Sequence, residues 1–209
     1  MEHHTMTLTS APILRDLPDA LHGERILLRP LRPGDGAAIF DAVKESREQI
    51  APWLPWVEKT QTPSDSEEAA RRGAARWLLR EDLMVGIWDK STDCYLGGSG
   101  LHRIDWTVPA FEIGYWLRTS AWGQGYASEA VQTLCRFAFE SLGANRVEIC
   151  CSAANDRSAA VPKRLGFALE ARLRNDGRDR DGELRDMLIF ALTPDDYNKA
   201  KTQWAVRCP

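Results

Sequence analysis

The chain has 209 residues, of which 44% are hydrophobic and 27% charged, and its formal net charge at pH 7 is −3. This length and composition are typical of one globular domain and exclude wholesale disorder. The small negative charge gives no electrostatic argument for nucleic-acid binding. No apolar run approaches the roughly 18 residues that a membrane span needs. We therefore expect neither nucleic acid nor a membrane as a partner.

The cysteines and the first residues indicate the compartment. The five cysteines show no CxxC spacing, and their number is odd. Free thiols in a reducing environment fit this pattern better than a disulfide framework or a zinc site. The N-terminus has no basic segment leading into an apolar one, as a secretory signal would. These features predict a cytoplasmic protein without a bound metal.

The first elements in chain order are an extension, a strand and a helix. Residues 1–22 have few periodic apolar positions and are predicted to be a flexible extension, so that one domain covers residues 23–209. A short apolar strand is expected over residues 24–30. Asp35 is predicted to cap the following helix.

Prolines and tryptophans mark the next segment. Two prolines exclude regular helix from residues 51–56. Trp53 and Trp56 lie there, either as packing groups or as the wall of a substrate cleft. Ser64 and Glu67 form a capping-box pattern that predicts the start of a second helix.

The rest of the chain alternates strands and helices. In order, the patterns predict a hairpin over residues 83–88 and 94–105, a strand over 111–117, a helix from 127 that ends near Gly143, a strand over 147–151, a helix over 158–165 and strands over 167–174 and 183–192. This order predicts a mixed α/β single domain.

A glycine-containing turn between a strand and a helix is the strongest functional signal. Gly123 and Gly125 lack Cβ atoms, so main-chain N–H groups can converge while a ligand approaches closely. The following helix directs its own unpaired N–H groups to the same point. This arrangement predicts an anion site suited to a phosphate or pyrophosphate. A tight turn without a ligand is the alternative, whereas the Walker and dinucleotide-binding patterns are both absent.

Three motifs carry a resemblance to a known family. They are EIGYWL at residues 112–117, WGQGYASEA at 122–130, and NDRS at 155–158 followed by RLGF at 164–167. In this order and spacing they resemble the GNAT superfamily of acyl-CoA N-acyltransferases. Within it, the chain is most similar to the RimJ/RimL branch of ribosomal-protein N-terminal acetyltransferases. The resemblance extends from about residue 24 to about residue 192.

The resemblance implies both a fold and a co-substrate. It implies the GNAT fold, an α/β (α+β) domain with a mixed, mostly antiparallel sheet of about seven strands, splayed fourth and fifth strands and about four flanking helices. It implies acetyl-CoA as co-substrate, with the pantetheine arm between the splayed strands, and no metal. The residues implied in acetyl-CoA binding are Trp116, Leu117, Trp122, Gly123, Gln124, Gly125, Tyr126, Ala127, Asn155 and Ser158. The family's loop usually begins with Arg or Gln, so Trp122 implies one polar contact fewer.

The resemblance also implies which groups transfer protons. Ser158 matches the serine that protonates the departing thiolate in this branch. Many other GNAT members use a tyrosine for this step, but the corresponding position here is Pro162, which has no side-chain proton to donate. The alternative role of Ser158 is that of a helix-start hydroxyl that bonds the backbone. Pro162 is expected to free the carbonyl of Ser158 by removing one helix hydrogen bond.

Glu112 is the first candidate for the general base, on a strand where some GNAT enzymes place a glutamate that acts through water. Its alternative role is a carboxylate paired with a nearby arginine. Asp176 and Asp179 are alternative bases in a charged link whose simpler interpretation is a solvated hairpin tip. His102 warrants only a structural role, because no partner follows from its spacing.

The acceptor is expected to be an amine, and a protein or peptide α-amine is favoured. Near pH 7.4 roughly a quarter of α-amines are neutral, against about 0.1% of lysine side chains. A site without a strong, obvious base therefore suits an α-amine best. The alternatives are a small amine such as an antibiotic or polyamine, and an acyl-CoA-binding regulatory module without turnover. A homodimer is compatible with the tryptophan-rich loop and with the resemblance.

Overall fold

The computed structural model describes residues 11–206 and shows one open sheet of eight strands with helices packed on it. The strands are β1 (Leu21–His22), β2 (Ile26–Pro30), β3 (Leu83–Asp89), β4 (Tyr95–Asp105), β5 (Ala110–Leu117), β6 (Arg146–Ser152), β7 (Ala168–Arg178) and β8 (Leu184–Leu192). The α-helices are α1 (Gly36–Ile50), α2 (Pro63–Leu79), α3 (Tyr126–Arg136), α4 (Asp156–Leu165) and α5 (Pro194–Val206). The predicted α/β class is confirmed, and β1 and α5 are additional to the predicted elements.

The sheet is split at its middle. Its strand order is β1-β2-β3-β4-β5-β6-β8-β7, and every neighbouring pair is antiparallel except β5 and β6. These two strands run parallel and pair only over residues 110–112 and 146–148. Beyond that, β5 follows β4 as far as Leu117, and β6 follows β8 as far as Ser152. This gap corresponds to the predicted splay between the fourth and fifth strands. Those strands are numbered β5 and β6 here, because β1 was not predicted.

Each face of the sheet has its own hydrophobic core. Successive residues of a strand point to opposite faces. One core joins Ile113 of β5 to Leu134 of α3 and Leu165 of α4. The other joins Val43 of α1 and Ala70 of α2 to the β3 and β4 side chains on the opposite face. The gap between β5 and β6 therefore connects the α3/α4 face with the α1/α2 face.

The start of α1 differs from the prediction. Asp35 occupies the N-cap position but makes no side-chain bond to the helix. Its carboxylate instead accepts two hydrogen bonds from the Arg29 guanidinium, at 2.8 and 2.9 Å. A charged bidentate pair is stronger than a neutral cap. The Glu67 carboxylate of α2 caps the start of α1 instead of Asp35, because it accepts hydrogen bonds from the N–H groups of Gly34 and Gly36.

The start of α2 also differs from the prediction. The capping box consists of Thr62 and Asp65, whose side chains and main-chain N–H groups bond reciprocally. Ser64 and Glu67 do not form the expected box, because Glu67 is engaged by the first residues of α1.

Part of the predicted N-terminal extension contacts the domain. Residues Pro12–Leu14 form a 3-10 turn, and β1 pairs with β2, with Leu21 opposite Leu28. Residues 1–10 lie outside the described part of the chain. Across residues 11–206, no helix combines the length and apolar character that a membrane crossing requires.

Candidate active site

The glycine loop leaves the N-terminus of α3 open. Gly123 has φ +74° and Gly125 has φ +84°, a region that residues with a Cβ rarely adopt. Gly125 is the N-cap residue, and no side chain caps the helix. The first N–H groups of an α-helix have no partner within it. They remain available to an anion, as the sequence predicts.

Contacts from Arg25, the residue before β2, hold this loop in place. The Arg25 guanidinium donates to the carbonyl of Gln124 at 2.9 Å and to Glu129 Oε2 at 2.9 Å. It also lies over the ring of Tyr126, 4.6 Å from the centroid. The side chain of Gln124 donates to the carbonyl of Ser120 at 2.8 Å. Both side chains are thus engaged within the protein, and the main-chain N–H groups are the donors that the loop offers to an anion.

Trp122 begins the loop and supports a cation from another helix. Its indole Nε1 donates to the carbonyl of Leu117 at 2.9 Å, which fixes the ring. The Arg157 guanidinium lies 4.6 Å from the centre of that ring. A positive charge is thus present beside Trp122, where the family usually has a polar loop residue. Sequence reasoning missed Arg157, because nothing in the spacing links it to Trp122.

A cavity of about 660 Å³ lies at the gap between β5 and β6. Consecutive residues of both strands line it, so it is open to both faces of the sheet. Of the residues predicted from the sequence, it is lined by Glu112, Trp116, Leu117, Trp122, Ala127, Asn155 and Ser158. The predicted residues Gly123, Gln124, Gly125 and Tyr126 belong to the adjoining loop and do not line it. Tyr126 instead donates its hydroxyl to Asp89 at 3.0 Å.

The start of α4 brings two hydroxyl groups together. Asn155 is the N-cap, and its Oδ1 accepts from the Ser158 N–H at 3.1 Å. Pro162 cannot donate to the Ser158 carbonyl, as expected, and the Tyr115 hydroxyl donates to that carbonyl at 2.8 Å. The Ser158 hydroxyl lies 3.3 Å from the Tyr115 hydroxyl. The phenol of Tyr115 was not foreseen, because 43 residues separate it from Ser158.

Glu112 lies where β5 and β6 begin to separate. Its side chain is 16% exposed, and its Oε2 accepts no hydrogen bond from residues 11–206. Arg103 Nη1 is 3.3 Å away, within ion-pair distance but not aligned as a hydrogen bond. Burial raises the pKa of Glu112, Arg103 opposes the rise, and the nearby Glu148 adds to it. The ion pair with Arg103 is the alternative role expected from the sequence, and a partly buried carboxyl with an oxygen that accepts no hydrogen bond is also suited to accept a proton.

His102 has a carboxylate partner that its spacing did not indicate. Its Nδ1 lies 3.0 Å from both carboxylate oxygens of Asp82, which is 20 residues earlier. His102 is also directly opposite Glu112 in the β4–β5 register. The His102–Asp82 pair therefore lies next to Glu112, with His102 on the neighbouring strand β4.

Neither of the other candidate bases, Asp176 and Asp179, lines the cavity. Burial is the main cause of the raised pKa of the Cys150 thiol, which does line it, but the charge of Asp176 nevertheless helps to raise that pKa. The Asp179 carboxylate accepts from the N–H groups of Asp181 and Glu183 at 3.0 and 2.9 Å, and so closes the β7–β8 turn. Of the three carboxylates considered from the sequence, the structure brings Glu112 to the gap.

The two tryptophans after α1 have different positions. Trp53 lines the cavity. Trp56 packs edge-on against Trp116, with the ring centres 5.5 Å apart. Trp53 forms part of the cleft wall and Trp56 packs against Trp116, so each of the two predicted roles is represented.

The fold and this site define an acyltransferase of the GNAT type, with a split sheet, a glycine loop before α3 and a through-going cavity. The acetyltransferase (GNAT) domain family matches residues 25–168, and the chain belongs to that family. No group of three or more His, Cys, Asp or Glu side chains that would hold a metal ion occurs in the described part of the chain.

Individual relatives are named for ribosomal-protein acetylation. The chain is 29% identical over 182 residues to YdaF of Bacillus subtilis (strain 168), provisionally named a ribosomal N-acetyltransferase, covering 85% of this chain and 96% of YdaF. It is 27% identical over 145 residues to the ribosomal-protein-serine acetyltransferase of Escherichia coli (strain K12), covering 65% and 75%. The solved structure of RimL, a ribosomal L7/L12 alpha-N-protein acetyltransferase in complex with coenzyme A, superposes with a TM-score of 0.78 at 22% identity, covering 85% and 99%. This last likeness shows a shared fold.

Proposed function

We propose that this chain transfers the acetyl group of acetyl-CoA to the α-amine of a protein or peptide N-terminus by direct attack in a ternary complex. One observation carries the proposal: the cavity at the β5–β6 gap joins an uncapped, glycine-flanked helix terminus on one face to a buried carboxyl on the other. The co-substrate and the acceptor can then meet within the gap from opposite faces.

The α3/α4 face fits acetyl-CoA. The N–H groups at the start of α3 would bind the diphosphate, and Arg157 adds a positive charge beside them. The ends of β5 at Trp116 and Leu117 and the amide of Asn155 would hold the pantetheine arm. Coenzyme A is present in the related RimL structure, which supports this assignment.

Two side chains would move the protons of the reaction. The amine nitrogen forms a bond to the acetyl carbon, and the bond from that carbon to sulfur breaks. Glu112 would accept the proton that the amine loses, through water. Ser158 would donate a proton to the departing sulfur, with its hydroxyl positioned by Tyr115. The chain needs no covalent intermediate for this sequence.

Two arguments favour an α-amine acceptor: the larger neutral fraction of α-amines near pH 7.4 and the names of the relatives. A single buried carboxyl is a modest base, and an α-amine is far more often neutral near pH 7.4 than a lysine side chain. The relatives named above act, by their names, on ribosomal proteins. A cytoplasmic location and a homodimer belong to the same proposal, and size-exclusion chromatography with light scattering tests the latter.

Thiol release from acetyl-CoA in the presence of peptides tests the function. A peptide with a free N-terminus is compared with the same peptide that is N-blocked and carries one internal lysine. We expect rapid release only with the free α-amine. Equal rates would reject the α-amine assignment. Tight binding of coenzyme A without release for any amine would instead indicate a binding module.

A further inference from the structure

The acceptor side of the cavity has a distinctive wall. The C-terminal end of α1 and the loop after it form one side, and β8 forms the other. The wall is lined by Gln49, Trp53, Leu54, Arg185 and Met187. Met187 pairs with Ser152 at the end of β6, and Arg185 is two residues beyond it on the same face. Arg185 therefore lies just past the open end of the gap.

Arg185 is a cation without an anionic partner. Its Nη1 donates to the carbonyl of Pro52 at 2.9 Å, which joins β8 to the loop after α1. Its Nε is buried against Gly177 and makes no hydrogen bond. Among residues 11–206 its side chain forms no ion pair, and the hydrogen bond to Pro52 is its only one. A partly buried guanidinium normally pairs with a carboxylate or phosphate.

We infer that Arg185 selects acceptors that carry a carboxylate within the first few residues after the reacting amine. This inference rests on the proposed function, since it assigns the acceptor to the α1/α2 face. The β6 residues level with the gap, 150–152, lie two to four positions from the level of Arg185. At about 3.3 Å per residue, an extended peptide whose first residue lies at the gap would present its third to fifth side chain there.

The same charge disfavours cationic acceptors. On this wall Arg185 is the charged side chain that faces the acceptor, and Glu112 lies further inside the gap next to Arg103. A polyamine would meet the charge of Arg185 at close range. The wall thus favours an acidic peptide over a polycation.

The wild-type protein provides the first test. Three peptide sets share one first residue with a free α-amine and differ by Glu, Gln or Lys at positions 3, 4 and 5 in turn. A charge-assisted contact predicts kcat/KM about tenfold higher for Glu than for Gln at the position that Arg185 reads. Lys at that position, and spermidine as acceptor, should be poorer still. Equal values for Glu and Gln at all three positions would overturn the inference.

Variants separate recognition from support of the loop. Arg185→Gln should raise KM for the Glu peptide to that of the Gln peptide, with the affinity for acetyl-CoA unchanged. Arg185→Lys should keep part of the preference. Arg174→Gln on β7 removes an exposed charge that does not line the cavity and should leave the preference intact. If Arg185→Gln slows both peptides equally, Arg185 only holds Pro52, and the inference is wrong.

The outcomes also distinguish this inference from the proposed function. Acetylation of all peptides at one rate contradicts the role of Arg185 and leaves N-terminal acetylation intact. Absence of acetylation for every peptide, together with binding of acetyl-CoA, contradicts both.

Discussion

At the scale of single residues, the proposed role of Glu112 as general base predicts a pH response. Burial raises the pKa of this carboxyl, and the neighbouring charge of Glu148 raises it further. A general base acts in its deprotonated form, so activity should rise with pH through this raised pKa and reach a plateau above it. The acidic limb should therefore lie above the usual range of glutamate.

Glu112→Gln is expected to lower kcat by about 10²-fold and to abolish the acidic limb, because the amide cannot accept the proton. Glu148→Gln is the matched control. It removes a neighbouring negative charge, so the pKa of Glu112 should fall and the limb should move to lower pH while the plateau rate remains. A pH profile of kcat at saturating peptide measures both, because kcat/KM would also report the ionisation of the free α-amine. An unchanged limb in Glu112→Gln would show that another group titrates.

The Ser158 hydroxyl provides the second prediction. Ser158→Ala should lower kcat about tenfold or more without weakening acetyl-CoA binding, because proton transfer to a leaving group contributes at least this much. The helix cap survives the change, since Asn155 accepts from the main-chain N–H of residue 158. Full kcat in Ser158→Ala would leave the hydroxyl with a structural role alone.

Tyr115→Phe serves as the comparison for this experiment. It keeps the serine and removes the hydroxyl that donates to the carbonyl of Ser158. A buried carbonyl left without its donor costs about 1–3 kcal/mol, so Tyr115→Phe should unfold at lower urea concentration. Its kcat should fall less than that of Ser158→Ala if the phenol only positions the serine.

At the scale of elements, the glycine loop depends on its backbone conformation. Gly125→Ala places a Cβ at φ +84°, which costs about 1–2 kcal/mol and brings that atom within 3.3 Å of Arg25. The loop should relax and its N–H groups should lose their alignment, so the Kd for coenzyme A, measured by calorimetry, should rise about tenfold or more.

Gly143→Ala is the matched control for that change. It has φ +70°, and an added Cβ would meet no atom within 4 Å. It should lose similar stability but bind coenzyme A as the wild type does. Equal weakening of binding in both variants would mean that loss of stability, and not loop geometry, affects the Kd.

Local patterns predicted most elements but few of their ends. The alternation around residue 85 and the helical repeat before Gly143 correctly indicate the β3–β4 hairpin and α3, because both patterns reflect burial against one face. The caps of α1 and α2 were wrong, because Asp35 is held by Arg29 and Glu67 by main-chain groups of another helix. Such competition between distant partners leaves no trace in spacing.

The site shows the same division. The glycines, Asn155 and Ser158 are recognisable because backbone conformation and helix start require particular residue types at fixed offsets. Arg157 and Arg185 are not, since each reaches the cavity from an element that folding alone brings near. The partner of His102 was missed for the same reason. Site residues that act through main-chain conformation or helix capping can thus be predicted from the sequence. Cationic side chains that reach the cavity from distant elements can be identified only in the structure.

At the scale of the whole molecule, one charged contact ties the two layers together. Glu45 of α1 accepts from Arg118 at 2.7 Å, and from the N–H of Ser120 at 2.9 Å, in the segment that leads from β5 to the glycine loop. The side chains of Glu45 and Arg118 are 27% and 21% exposed. The Arg118 hydrogen bond lowers the pKa of Glu45 to about 2, against an unfolded value of about 4.3. The helix on one face thereby fixes the approach to the loop that serves the other face.

This contact should make stability depend on acid. A carboxyl with a lowered folded-state pKa stabilises the fold fully above its unfolded pKa, and the contribution disappears as the pH falls from about 5 through about 2. Glu45→Gln should lower the free energy of unfolding at pH 7 by about 1–2 kcal/mol, because hydrogen bonds to a charged group are lost at a partly exposed site. Near pH 2 the wild type and the variant should converge. Glu48→Gln, an exposed change on the same helix, should alter stability by less than about 0.5 kcal/mol at both pH values. Urea unfolding at pH 7 and at pH 2–3 compares the three proteins. A deficit of Glu45→Gln that stays constant down to pH 2 would show that the carboxylate charge does not join the layers, since a packing defect alone would not titrate.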